Sequence, residues 1–304
     1  MKPVSSHSVA TDLWSDWLLH ERYADDPDFA KEIYQTVEKF TDRVLDFAQL
    51  NATAHLLDVG AGEGALGFRA IQKWGPALQV TFTDISAPLL KLARERATDK
   101  NVLSQCRFIQ ASADQLSALD DASFDAVTTR SVLAYVDDKA SAFQAFHRAL
   151  KPGGRISIAE PIMLYSAIES MTLRQRYEEN PERLEHRLMH LWASAQFPDT
   201  PEKIAQSAIT NYSERELMQF ALAAGFTDLH LELHIDVAPS VSRSWDVFIG
   251  TSPHPLAPSL RRIMNEQFTA SERAFFEGLM RPLVESGQRM STTRMAYLTA
   301  RKPP

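Results

Sequence analysis

The chain has 304 residues, 44% of them hydrophobic and 23% charged, and a formal net charge of −7. That balance allows one large or two modest domains with a sizeable core, and the single cysteine, Cys106, excludes an intrachain disulfide and fits a reducing, cytoplasmic setting. The acidic excess argues against nucleic acid, whose backbone is gripped by clustered Lys and Arg; no run reaches the roughly 18–20 apolar residues that span a bilayer, and residues 1–11 lack an export signal, so neither membrane nor secretion is expected.

Before residue 50, Trp14, Trp17 and Leu18, and then Ile33, Val37, Phe40, Val44 and Leu45, recur at helical spacing, which predicts an N-terminal helical cap over 1–50. From 51 to 160 the pattern alternates. Short apolar runs at 54–59, 80–84, 108–110, 124–128 and 155–159 are separated by helical stretches, one ending near Trp74, one starting at Pro88 and one through Phe143. Apolar strands alternating with helices predict a Rossmann-like α/β core, a mostly parallel sheet with helices on both faces. Residues 161–211 read as a helical lid insertion. From 212 to 304 the sheet is completed: Ser213 and Glu216 form a capping box, Gly225 is a helix stop, and runs at 230–237 and 295–300 are the sixth and seventh strands, the last antiparallel. Between them, 238–290 is a second insertion with a turn-rich 251–258 and two helical stretches.

The stretch most suggestive of chemistry is Leu56-Leu-Asp-Val-Gly-Ala-Gly-Glu-Gly-Ala-Leu-Gly67, a strand running into a glycine-rich turn and then a helix. Gly60, Gly62 and Gly64 remove Cβ atoms where a ligand must approach backbone. Gly62, Gly64 and Gly67 also satisfy the dinucleotide fingerprint, and Asp84 lies about 20 residues on, at the end of the next strand, where a carboxylate can accept ribose hydroxyls. These residues alone leave open an NAD(P)-dependent Rossmann oxidoreductase, a methyltransferase and a structural glycine turn. Tyr135 and Lys139 repeat the spacing of the short-chain dehydrogenase dyad, but Asp137 and Asp138 between them mark the start of a helix and deny the dyad its usual setting.

Four stretches in order, Leu57-Asp-Val-Gly-Ala-Gly-Glu-Gly64, Phe82-Thr-Asp-Ile-Ser86, Ser123-Phe-Asp-Ala-Val-Thr-Thr-Arg130 and Leu150-Lys-Pro-Gly-Gly-Arg155 before Ala159-Glu-Pro161, resemble the class I S-adenosylmethionine methyltransferases. The likeness is to their small-molecule branch, which includes the ubiquinone/menaquinone C-methyltransferases, and it covers roughly residues 50–160 plus the terminal strand pair. It implies S-adenosylmethionine as cofactor and S-adenosylhomocysteine as product. By the resemblance, Asp58 anchors the turn and helps hold the methionine end, and backbone at Gly60 and Gly62, with Gly64 beside them, lines the carboxylate and sugar. Asp84 takes the ribose hydroxyls and Ile85 flanks the adenine. Ser112 stands where the family places an Asp for the adenine amino group; the Ala113 backbone is an alternative partner, and Asp114 could substitute by a shift of register. The Arg130 carbonyl faces the methionine amino group, with Ser131 adjacent.

Methyl transfer from a sulfonium is an in-line displacement that needs alignment in a dry pocket more than a protein nucleophile. Glu160, at the carboxyl end of the fifth strand, is the candidate general base; Tyr23, the other catalytic candidate, lies just beyond the Trp14–Leu19 helix, where the resemblance implies an aromatic segment folded over the cofactor, a place Tyr34 could also take. Met163, Tyr165, Met171, Tyr177, Met189 and Trp192 could form an adaptable apolar wall. From that wall and its surroundings Tyr34, Tyr135, Tyr165, His186, His190 and Trp192 are the acceptor-site candidates. His186 and His190 lie one helical turn apart but lack a third ligand, so no metal is expected. Arg174, Arg176, Arg183 and Arg187 could clamp a phosphorylated acceptor such as a prenyl diphosphate, but their interleaved glutamates favour a salt-bridged helix surface, and His147 reads as a surface or packing residue. The expected reaction is C- or O-methylation of a small apolar, aromatic or isoprenoid acceptor. The other readings are the NAD(P) oxidoreductase and a non-catalytic, cofactor-binding partner subunit; a homodimer stays open.

Overall fold

The computed structural model describes residues 12–304. Residues 1–11, on which the expectation about export rests, lie outside the described residues. The first element, α1 (Leu13–Asp16), is capped by Asp12, whose side chain accepts from the Ser15 amide, and it passes into a π-helical turn, Trp17–Glu21. Asp26 then caps α2 (Pro27–Ala48), with Pro27 preset for the first helical turn.

The alternation follows: β1 (His55–Val59), α3 (Ala65–Trp74), β2 (Gln79–Asp84), α4 (Ala87–Asp99), β3 (Cys106–Gln110), β4 (Phe124–Arg130), α5 (Lys139–Ala149) and β5 (Leu150–Pro161). Three helices of the first insertion, α6 (Leu164–Glu179), α7 (Leu184–Gln196) and α8 (Pro201–Gln206), lead to α9 (Glu214–Ala223) and β6 (Thr227–Pro239). The second insertion supplies α10 (Trp245–Gly250), α11 (Leu260–Gln267) and α12 (Ala270–Glu285) before β7 (Met290–Arg301). The capping box of Ser213 and Glu216 is formed, and Gly225 follows α9 at φ +94°, a value that only glycine takes without strain.

The seven strands make one sheet in the order β3-β2-β1-β4-β5-β7-β6, with β7 antiparallel to both neighbours. Successive residues of β1 point to opposite faces, so Leu56 packs with Val80 and Phe82 under α3 and α4, while Leu57 packs with Val127 and Ile156 under α5 and α9. Gly67 is required by this packing: a Cβ there would come within 2.2 Å of the Phe82 ring. Helix α2 belongs to the same core. Val44 and Leu45 are 1% and 0% exposed, and the Ser157 hydroxyl donates to the Val44 carbonyl at 2.7 Å, so the predicted cap over 1–50 is corrected: α2 is a layer of the sheet domain.

The two insertions, separate in sequence, share one core. Leu188 of α7 is enclosed with Phe248, Ile263 and Phe276 from α10, α11 and α12. A helical subdomain of this kind hides its apolar stripes on itself rather than on the sheet. It stands at the carboxyl ends of the parallel strands, and strand order reverses between β1 and β4, which is where open α/β sheets bind ligands.

Candidate active site

The chain leaves β1 through Gly60 (φ +64°), Gly62 (φ +55°) and Gly64 (φ +88°), left-handed positions that bend it sharply into α3. Two carboxylates hold the bend. The Gly62 N–H donates to Asp84 Oδ2 at 2.7 Å, and the Ser86 N–H donates to Asp84 Oδ1 at 2.8 Å. The Gly67 N–H donates to Asp58 Oδ2 at 3.0 Å; burial pushes the Asp58 carboxyl up to about 7, against the pull of that N–H. Asp58 is 2% exposed and does not reach the cavity beyond the turn, so it anchors the bend but does not face a ligand. Gly64 is likewise turned inward, toward the Phe68 ring.

Beside the turn opens a cavity of about 710 Å³. Its wall at the ends of β2 and β3 carries Asp84, Ile85, Leu89, Ser112 and Ala113; Ile85 is 44% exposed, an apolar edge presented outward. Asp114 is not on this wall, because it is engaged in accepting the Ser112 hydroxyl. The wall at the ends of β1 and β4 carries Gly60, Gly62, Glu63, Arg130 and Ser131. Ser131 sits at φ +58°, uncommon for a residue with a Cβ. Facing both walls are Trp14, Trp17 and Leu18 of the N-terminal segment and Trp192 and Phe248 of the helical subdomain.

Glu160 is not placed to act on a ligand. It is 0% exposed and does not line the cavity, and its carboxylate accepts from the Val132 amide at 2.9 and 3.1 Å and the Ala134 amide at 3.4 Å. It therefore pins the turn after β4, and burial pushes it up to about 7 although those amides favour the charged form. Tyr23 is corrected too: its hydroxyl donates to the Leu19 carbonyl and it is off the cavity. Among the acceptor-site candidates, Tyr34, Tyr135 and Trp192 line the cavity, whereas Tyr165, His186 and His190 do not. Tyr165 lies 3.5 Å from Glu214, His186 is against the Arg176 carbonyl at 3.3 Å, and His190 is bound to Asp199 at 3.0 Å. Of the four arginines, only Arg174 pairs at helical spacing, with Glu178; Arg183 reaches Glu185 two residues on, Arg187 crosses to Glu272 of α12, and among the described residues Arg176 has no ion pair. Lys139 donates to the Val136 and Ala208 carbonyls at 2.9 and 2.8 Å, and Asp138 caps α5, so no dehydrogenase dyad forms.

Sequence reasoning named Arg130 only for its carbonyl and missed the cavity's cations. Arg22 and Arg130 both line it near the glycine turn, and Arg243 and Arg289 line it from the second insertion. Burial lowers the Arg22 guanidinium to about 10, with the neighbouring Arg130 charge adding to the effect; Arg130 is lowered by burial while Asp58, Glu160 and Glu63 oppose. Glu63, 5% exposed, is tied up by Arg96 at 2.7 Å. Arg22 follows a π-helical turn, a local widening that no periodicity in the sequence announces.

Residues 50–221, more than half of the chain, match the family model described as "Methyltransferase domain". The chain belongs to that family. It is 33% identical over 134 residues to a ubiquinone/menaquinone biosynthesis C-methyltransferase of Idiomarina loihiensis, covering 44% of this chain and 51% of the relative. The chain thus spans about half the length of the curated relatives it matches. Among solved structures it is similar to the YcgJ protein of Bacillus subtilis, with a TM-score of 0.55 at 17% identity, 88% of this chain and 99% of that one being covered. A phosphoethanolamine N-methyltransferase 2 of Haemonchus contortus, in complex with S-adenosyl-L-methionine, aligns with a TM-score of 0.51 at 16% identity over 88% of this chain and 53% of its own. These likenesses establish the class I methyltransferase fold. Among the described residues, no helix is long and apolar enough to cross a membrane.

Proposed function

We propose that the protein transfers the methyl group of S-adenosylmethionine to a small-molecule acceptor. The observation that carries this is the single cavity that joins Asp84 and the bared glycine turn to a pair of guanidiniums and to the aromatic wall of the helical subdomain. Its residues fit the cofactor. Asp84 retains lone pairs beyond those taken by two amides, for ribose hydroxyls; Ile85, Leu89 and Ala113 offer an apolar slot for a base, with Ser112 at its rim. Arg22 and Arg130 face each other's charge and would be relieved by a carboxylate, which is what the methionine end brings. The Arg130 and Ser131 backbone at the end of β4 lies beside them.

When bound, the cofactor supplies a methyl group on a positively charged sulfur. The protein's part is alignment and exclusion of water by Trp14, Trp17, Trp192 and Phe248, which surround the cavity. No histidine is among the described residues that line it. Tyr135 packs edge-on to Trp14 at 5.1 Å, and burial raises its phenol above the ordinary value, so it stays protonated and serves as a donor rather than a base. A small molecule rather than nucleic acid is favoured by the net charge of −7, and a cytoplasmic setting by the lone Cys106.

The test has two arms. Calorimetric titration should give saturable binding of S-adenosylhomocysteine and none of NAD, and label should pass from tritiated S-adenosylmethionine into a metabolite extract. Binding of NAD instead would restore the oxidoreductase; retention of cofactor without transfer would leave a binding subunit.

A further inference from the structure

The cavity has a second cationic pole, far along the sequence from the first. Arg243 precedes α10 and Arg289 precedes β7, so they stand at opposite ends of the second insertion. The β6–β7 ladder brings them together: its last registered pair is Pro239 with Met290, and the Ser240 N–H donates to the Arg289 carbonyl at 2.7 Å. Both side chains are half-buried and both line the cavity. Each guanidinium packs against an aromatic face, Arg243 at 3.9 Å from the Phe29 ring centroid and Arg289 at 5.3 Å from that of Phe248. Polar partners are sparse. Arg243 has Glu32 at 3.8 Å and the Val241 carbonyl at 3.5 Å, and among the described residues the Arg289 guanidinium has neither a hydrogen bond nor a carboxylate within 4.0 Å. Burial lowers both guanidiniums, and at Arg289 the charge of Arg243 adds to it.

Two like charges held together on an apolar wall, with Glu32 beside only one of them, cost stability that an anion bound between them would recover. The Arg22 and Arg130 pair is accounted for by the methionine carboxylate; this pair is not. We infer that the acceptor is an amphipathic anion, its acidic group, a carboxylate or a phosphate, held by Arg243 and Arg289 and its apolar body laid against Phe29, Trp192 and Phe248. Bidentate pairing with a planar or tetrahedral oxyanion suits guanidiniums in particular. The inference rests on the methyltransferase reading and narrows it.

The test uses the full chain saturated with S-adenosylhomocysteine and, as probes, 2-naphthoate, 2-naphthyl phosphate and uncharged 2-naphthamide, with decanoate and decanamide as a slimmer pair, all by calorimetric titration. At least one anion should bind roughly tenfold or more tighter than its amide, as charge-assisted hydrogen bonds require, and the better of the two naphthyl anions separates carboxylate from phosphate. Arg243→Gln with Arg289→Gln should erase the preference while S-adenosylhomocysteine affinity stays within about twofold, which also reports that the variant is folded; Arg289→Lys should keep part of it. No preference for any anion, or a preference that survives the double change, overturns the inference with the methyltransferase reading intact. Failure of the wild-type chain to bind S-adenosylhomocysteine overturns both.

Discussion

Glu160→Ala is expected to destabilise the protein by about 3 kcal/mol, because it strips acceptors from the part-buried Val132 amide and the buried Ala134 amide at about 1–3 kcal/mol each. Denaturant unfolding measures it. Glu160→Gln keeps the shape and one acceptor and should cost about 1 kcal/mol. The two differ in pH response. In the folded chain burial holds the proton on Glu160 up to about 7, whereas the unfolded chain releases it near the ordinary 4.5. The folded state therefore binds more protons across that window, and its stability falls as pH rises from about 4.5 to 7. The advantage of wild type over the glutamine variant should accordingly shrink across the window; an advantage that grows with pH would mean the ionised form is the one the three amide contacts stabilise. The rate follows from position, since Glu160 holds the turn that carries Ser131, Val132 and Tyr135. Both variants should lose cofactor affinity, and Glu160→Gln should keep the wild-type shape of the rate against pH. Loss of a limb in that profile would return Glu160 to the role of base.

Asp84→Ala should raise the dissociation constant for S-adenosylhomocysteine by roughly ten- to a hundredfold, about 1–3 kcal/mol, the scale for hydrogen bonds to a charged group. Because the same carboxylate receives the Gly62 and Ser86 amides, the alanine variant should also melt earlier. Asp84→Asn retains one acceptor for Gly62 and should lose less stability than affinity, and that split distinguishes a ligand-facing carboxylate from one that only holds the loop. An unchanged dissociation constant in both variants would remove Asp84 from the site.

The sheet was legible because each strand is written locally. Leu56 and Leu57 are apolar on both faces, turns are marked by Gly or Pro, and Ser213 with Glu216 announces its helix within four residues. The glycine turn and Asp84 were found for the same reason, and they do meet, through the Gly62 amide. What failed was facing. Helical spacing tells which residues share a face but not which face meets the cavity, so Tyr165, His186 and His190 were grouped with Trp192, although only the tryptophan reaches it. Glu160 stands out in the sequence only for its place at a strand end, and nothing in its neighbourhood says that the Val132 and Ala134 amides converge on it. Arg22, Arg243, Arg289 and the charge, as opposed to the carbonyl, of Arg130 escape sequence reasoning because their meaning lies in pairs distant in sequence: Arg22 with Arg130, and Arg243 with Arg289 through the ladder that closes at Pro239 and Met290. Helix α10, six residues long, is too short to show a period.

The central claim is that one cavity seats the cofactor with its sugar on Asp84, its carboxylate between Arg22 and Arg130, and its sulfur toward the helical subdomain. A crystal structure of the protein grown with S-adenosylhomocysteine tests it most directly. The ribose hydroxyls should lie within hydrogen-bond distance of Asp84 and the amino-acid end at the two guanidiniums, with open space between the sulfur and Trp192. Density for the nucleoside elsewhere, or a sulfur enclosed with no path to that wall, would contradict it.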